Sequence, residues 1–233
     1  MNFQPTPRQL SAIKTLLLLL TFLPALRYAY GLWSDSLGAN PIEALTRGMG
    51  IWTLNFLLIT LCVSPLRKLS GWHWLLRLRR MLGLTAFAYG SLHLLTYAWL
   101  DQFWDVDAIA RDVWKRPFIT LGFTAFLLML PLALTSSNAA IRRLGGKRWQ
   151  GLHRAVYVVA ILGVVHYLWL VKRVALLDPI IYAILLAVLL GWRMLERMRR
   201  YGPWPARPTP PAVQPVVFMK RDKVPSLAGH KKG

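Results

Sequence analysis

Four stretches of the chain contain no Lys, Arg, Asp or Glu: 48–66, 81–100, 117–141 and 155–171. Each is close to the ~20 residues an α-helix needs to cross a bilayer. Two flanking segments qualify with an interruption. TLLLLLTFLPALRYAYGLW (15–33) carries Arg27, and PIIYAILLAVLLGW (179–192) reaches full length only by extending through Ala175–Asp178 or toward Arg193. The pattern predicts an all-α membrane protein: a six-helix transmembrane bundle over residues 1–200, with brief connections and no evident internal repeat. From Gly202 the composition changes to PWPARPTPPAVQP and then to basic, polar residues. That segment lacks apolar periodicity, which predicts a flexible, proline-rich basic tail over 201–233 suited to lie on anionic headgroups.

Charge then orients the bundle. Of 233 residues 55% are hydrophobic, yet the formal net charge is +20. With the N-terminus, the 67–80 and 142–154 loops and the tail from Arg193 on one side, that side holds 22 Lys/Arg and two acids, Glu196 and Asp222. The opposite side holds seven of each sign. The whole excess of positive charge lies on one face, as the positive-inside rule expects of the cytoplasmic side. Both termini are therefore predicted to be cytoplasmic, and a nucleic-acid partner, which would leave the segregation unexplained, is not expected. Signal-peptide cleavage after Ala29 would put Arg27 where a small residue is wanted, so the first span is expected to stay as an anchor.

Cysteine and motif usage narrow the chemistry. Cys62 is the single cysteine, so there is no disulfide framework, no covalent haem attachment and no iron–sulfur cluster. No GxGxxG follows a strand and no P-loop occurs, so a soluble electron donor must lie on another protein. The outer loop DQFWDVDAIARDVWKR (101–116) holds four of the nine acids with Trp104 and Trp114. It reads as an aromatic belt with solvated charges, or as an interfacial helix or docking patch.

The histidines carry the remaining signal. His230 lies in the tail and His73 in a basic inner loop. Measured back from Asp101 and Lys172, His93 and His166 lie about 12 and about 9 Å below the outer boundary. They share a layer on antiparallel helices, a geometry that could ligate one metal from two sides. Two imidazoles do not complete a zinc site, which takes four ligands. Haem iron needs only two, because the porphyrin supplies the rest, and Ala88, Gly90, Ser91 and Gly163 would admit a flat ring. With no thiol arrangement for covalent attachment the haem would be b-type, one or two per chain. His153, about 20 Å further in, is the third candidate ligand; an ideal helix puts it ~140° around from His166. Its depth partners are Arg79 and Arg80, which could pair with haem propionates or act as positive-inside anchors. The alternative for all three histidines is hydrogen bonding between helices.

The segments RLRRMLGLTAFAYGSLHLLTYAWL (77–100), RPFITLGF (116–123), ALTSSNAAIRRLGGKRWQGLHRAVYVVAILGVVHYLWLVK (133–172) and DPIIYA (178–183) resemble the MsrQ (YedZ) family, within the ferric reductase-like transmembrane group. The resemblance covers roughly residues 10–200. It implies a multi-pass protein of a bacterial inner membrane, a non-catalytic electron-transfer subunit with no catalytic residue of its own. Electrons from the quinone pool or a flavin reductase would pass through haem to the periplasmic molybdopterin subunit MsrP, which reduces methionine sulfoxide in oxidised envelope proteins. The family's histidines correspond to His93, His153 and His166. FMN is implied by the resemblance alone, since no FMN motif is present. Other readings are a ferric or oxygen reductase-type cytochrome, or a haem-free membrane transporter or scaffold.

Overall fold

A computed structural model describes residues 4–171 and 176–201, and no strand occurs among them. Helix is the form expected of a single chain in lipid, because it satisfies every backbone group within the segment. Helix α1 (Pro7–Trp33) starts with a capping box, in which Thr6 and Gln9 satisfy each other's amides, and with Pro7 at its first position. Helix α2 (Pro41–Ser70) is capped by the Asn40 side chain, which accepts from the Glu43 amide at 3.1 Å. It stops at Gly71, whose φ of 74° no β-carbon-bearing residue adopts readily.

The chain continues through a 3₁₀ turn (His73–Leu78) into α3 (Arg79–Leu95), which runs directly into a π-helical turn (Thr96–Asp101). Next come α4 (Val106–Lys115), capped by Asp105, and α5 (Pro117–Leu134). Short helices α6 (Asn138–Leu144) and α7 (Gly146–His153) lead to α8 (Ala155–Leu170), and α9 (Leu177–Tyr201) ends the described chain. One compact unit extends to Glu196, and the unit beginning at Arg197 is described only to Tyr201, as the end of α9. The expected proline-rich tail, with His230, lies from 202 on outside the described residues.

Among the described residues, five helices are long and apolar enough to cross a membrane: α1, α2, α5, the run Gly146–Leu170, and α9 to Arg200. The predicted segment 81–100 differs, because its α-helix spans 17 residues before the π turn takes over. The segment around 155–171 also departs from one straight helix. Arg154 separates α7 from α8, so His153 ends one helix and His166 belongs to the next. The acidic outer loop folds as the amphipathic α4, with Trp104 and Trp114 exposed.

Helix α2 is the centre of the fold. Half of its apolar window is buried, against 11–17% in the other four long helices. It supplies Phe56, Leu57 and Val63 to a core with Ala86, Tyr89, Ala125 and Met129. Its Leu54, Leu58 and Leu61 face a second core with Ala160, Val164, Leu186 and Leu189. Polar contacts pin α9 onto these helices. Arg193 donates from Nη1 to the Tyr157 hydroxyl (2.5 Å) and from Nη2 to the Leu61 carbonyl (2.8 Å), and Tyr182 donates to Asn55 Oδ1 (2.8 Å). Such bonds hold helices together where lipid removes the usual hydrophobic drive.

Pro24 interrupts α1, since it has no amide to donate. Beside it, the Tyr89 hydroxyl donates to the Thr21 carbonyl (2.6 Å) and accepts from the Ala25 amide (3.2 Å). Tyr89→Phe is expected to lower stability by about 1–2 kcal/mol, the value of one or two lost buried hydrogen bonds. Thermal unfolding in detergent measures this. A midpoint equal to wild type would mean that the helix closes the rung without help.

Candidate functional site

His93 of α3 and His166 of α8 meet across the middle of the bundle. Their ring centroids are 6.2 Å apart and their planes cross at 74°. His93 Nδ1 lies 2.8 Å from the Thr46 carbonyl of α2, and His166 Nδ1 lies 2.6 Å from the Phe118 carbonyl of α5. A carbonyl can only accept, so each Nδ1 carries the ring proton and each Nε2 presents a lone pair. Neither Nε2 makes a hydrogen bond among the described residues.

Two ring nitrogens with free lone pairs invite a metal. A metal–imidazole bond of about 2.0–2.1 Å, with the ring centre roughly 1.2 Å behind the nitrogen, puts the centres of two rings that share one ion about 6.4–6.6 Å apart. The observed 6.2 Å is within a few tenths of an ångström of that spacing. Among the described residues, no group of three or more His, Cys, Asp or Glu is arranged to hold an ion by itself. The missing equatorial donors are what a porphyrin provides. Space is available: the histidines line a cavity of about 690 Å³, within the 300–1,000 Å³ typical of cofactor sites. Its walls include Leu54, Leu57, Phe123, Phe126 and Val159, and its rim carries Glu43, Arg47, Asp101 and Arg116. Gly90 and Gly163 line it as expected of small residues, whereas Ala88 and Ser91 do not.

Sequence reasoning missed four participants: Thr46 and Phe118, which orient the rings, and Gly50 and Gly122, which make room for them. A β-carbon on Gly122 would lie 2.9 Å from His166 Nδ1, and one on Gly50 would lie 3.1 Å from His93 Nδ1. The only signal along the chain was a glycine inside an apolar run, which by itself does not say what approaches it.

His153 is built differently. Its Nδ1 donates to the Trp149 carbonyl of its own helix (3.1 Å), and its ring stacks on Trp149 with centroids 3.9 Å apart. Its Nε2 is buried and has no hydrogen-bond partner; the Leu132 carbonyl is nearby but does not complete a bond. Arg79 is within electrostatic reach of this ring and of Arg193, Arg67 and Tyr157. Arg80 is exposed and donates from Nη2 to Asn138 Oδ1 (2.8 Å). His73 is exposed at the start of the 3₁₀ turn. The structure thus brings His93 and His166 together, and leaves His153 with an arginine neighbour and no second imidazole among its contacts.

Residues 10–164 match the ferric reductase like transmembrane component family. The chain is 85% identical, over the full length of both, to the protein-methionine-sulfoxide reductase heme-binding subunit MsrQ of Azospira oryzae. It is 54% identical to the MsrQ of Herminiimonas arsenicoxydans, over 82% of this chain and 88% of the relative. The corresponding protein of Ralstonia nicotianae is 50% identical over 81% and 87%. The chain belongs to the MsrQ family. Within this MsrQ-family chain, His93 and His153 fall inside the ferric reductase-like match, and His166 lies just beyond it but inside the full-length alignment.

Proposed function

We propose that the protein is the haem-binding membrane subunit of a protein-methionine-sulfoxide reductase, passing electrons through a b-type haem held by His93 and His166. The observation that carries this reading is the pair of proton-free Nε2 atoms facing one cavity, each fixed by a carbonyl bond on Nδ1. When bound, the haem supplies one-electron chemistry at iron. His93 and His166 would hold the group through their two Nε2 atoms, and a haem held by two imidazoles would serve electron transfer rather than oxygen chemistry. Thr46 and Phe118 hold the ring tautomers and raise the basicity of the ligating nitrogens. The apolar walls exclude water from the ring edges, and the charged rim faces the side on which the acids gather.

The reading includes six spans with cytoplasmic termini, with Arg79–Asp101 as the third. Together the 17-residue α3 and the six-residue π turn are long enough to cross. The protein would then sit in the inner membrane of a bacterial cell, with electrons entering from the quinone pool or a flavin reductase, FMN included, and leaving to a periplasmic molybdopterin subunit of MsrP type. His153, with its unpartnered Nε2, is the proposed ligand of a second haem, and Arg79 and Arg80 are its proposed propionate partners. Residues 1–200 would form this electron-transfer domain and 201–233 a separate tail.

Haem content per chain, with a reduced-minus-oxidised spectrum of purified protein, tests the reading. One or two b-type, low-spin haems support it. Colourless, folded protein from haem-replete cells would leave a scaffold or transporter instead. Oxidation of the haem by ferric chelates or oxygen without any protein partner would favour a ferric reductase. In the same assay His153→Ala is expected to keep the His93–His166 haem bands. Loss of all haem from that variant alone would overturn the pairing.

A further inference from the structure

The two histidines sit in two copies of one local device. In the first, Thr46 and Gly50 of α2 face His93 of α3; in the second, Phe118 and Gly122 of α5 face His166 of α8. In each copy the glycine follows the carbonyl residue by four positions, and the histidine follows the glycine by 43 or 44. The carbonyl is therefore already the helical acceptor for that glycine's own amide. It can take a second bond from a histidine only where the helix surface beside it is bare, because the ring must lie flat against the backbone. Glycine is the residue that leaves the surface bare. A methyl group at either position would sit 2.9–3.1 Å from ring atoms, closer than ordinary van der Waals contact. The two rings, each pressed to its own glycine on a different helix pair, stand with their planes crossed at 74°.

We propose that Gly50 and Gly122 are positioning residues that hold the two imidazole planes crossed, and thereby set the electronic symmetry of an iron bound between them. The inference rests on the haem ligation proposed above. Each axial imidazole donates π density to the iron d orbital perpendicular to its own plane. Parallel rings act on the same orbital and split the pair, whereas crossed rings act on both and leave them nearly degenerate. Oxidised low-spin iron then gives a strongly anisotropic electron paramagnetic resonance spectrum dominated by one low-field feature, in place of a rhombic three-line spectrum. Ring orientation held by outer contacts is a recognised way for a protein to tune its metal.

The experiment is low-temperature electron paramagnetic resonance of the full-length, haem-loaded protein, recorded in a His153→Ala background so that a single low-spin species remains. The parent protein is expected to give the low-field anisotropic signal. Gly122→Ala is expected to move it toward the rhombic form and to shift the midpoint potential, because its new methyl makes the closer contact. Gly50→Ala should move it less, in the same sense. Gly191→Ala, where a β-carbon meets nothing within 4 Å, should leave it unchanged. A rhombic parent spectrum in haem-loaded protein overturns the inference and leaves the haem assignment standing, whereas protein without haem overturns both. Should Gly122→Ala fail to load haem, the parent and Gly50→Ala spectra decide. A wild-type spectrum in a loaded Gly122→Ala also overturns the proposal.

Discussion

His166→Ala is expected to abolish the low-spin haem spectrum of the proposed His93–His166 site, and His93→Ala to do the same. The expected loss is complete because the two positions are not redundant. Each ring reaches the cavity from a different helix, and each is oriented by a carbonyl that no other described histidine approaches. Removing one leaves the other imidazole with the 6.2 Å separation unbridged. Any haem retained would have an open iron position and a high-spin spectrum. Optical spectra of the oxidised and reduced variants, with pyridine-haemochrome quantification, measure both effects. Low-spin bands of wild-type intensity in either variant would show that the ligand comes from elsewhere. Exogenous imidazole should restore low-spin bands to a variant that keeps its haem, since the space left by the lost ring is the space the probe needs.

The second large effect is on stability. Leu61 of α2 is completely buried, packed in the core that α2 shares with Ala160, Val164, Leu186 and Leu189. Leu61→Ala is expected to cost about 2–5 kcal/mol, the range for a buried Leu→Ala with incomplete collapse of the cavity. In a bilayer much of the solvent-transfer part disappears, because lipid is as apolar as leucine, so the lost packing sets the value and the lower half of the range is expected. Thermal unfolding in detergent should show a clear fall in midpoint. The control is Leu19→Ala in α1, whose side chain is 61% exposed and should shift the midpoint little.

Much of this arrangement is written in the linear pattern. Uncharged runs near bilayer length are visible without any tertiary information, and α1, α2, α5, α8 and α9 appear where those runs lie. The shared layer of His93 and His166 follows from counting residues inward from charged ends, because rise per residue in a helix is constant. Local breaks were not legible. The π turn after Leu95 and the separation of α7 from α8 at Arg154 occur with no Pro or Gly at either point to announce them. The relation between His153 and His166 therefore could not be obtained from an ideal helix.

By itself the sequence determined that the chain is helical and apolar in membrane-length segments, that its excess of positive charge gathers in alternate connections between them, and that its histidines occur at different distances from the segment ends. These are one-dimensional quantities, set by composition and by distance along a helix axis. Only the tertiary structure decided which carbonyl each ring would meet, that Gly50 and Gly122 would be the bare surfaces beneath them, and that the planes would cross at 74°. Those depend on the rotation of each helix about its own axis and on the angle at which pairs of helices approach. Rotation and crossing angle are fixed by many weak side-chain contacts acting together, and no single position in the chain records them.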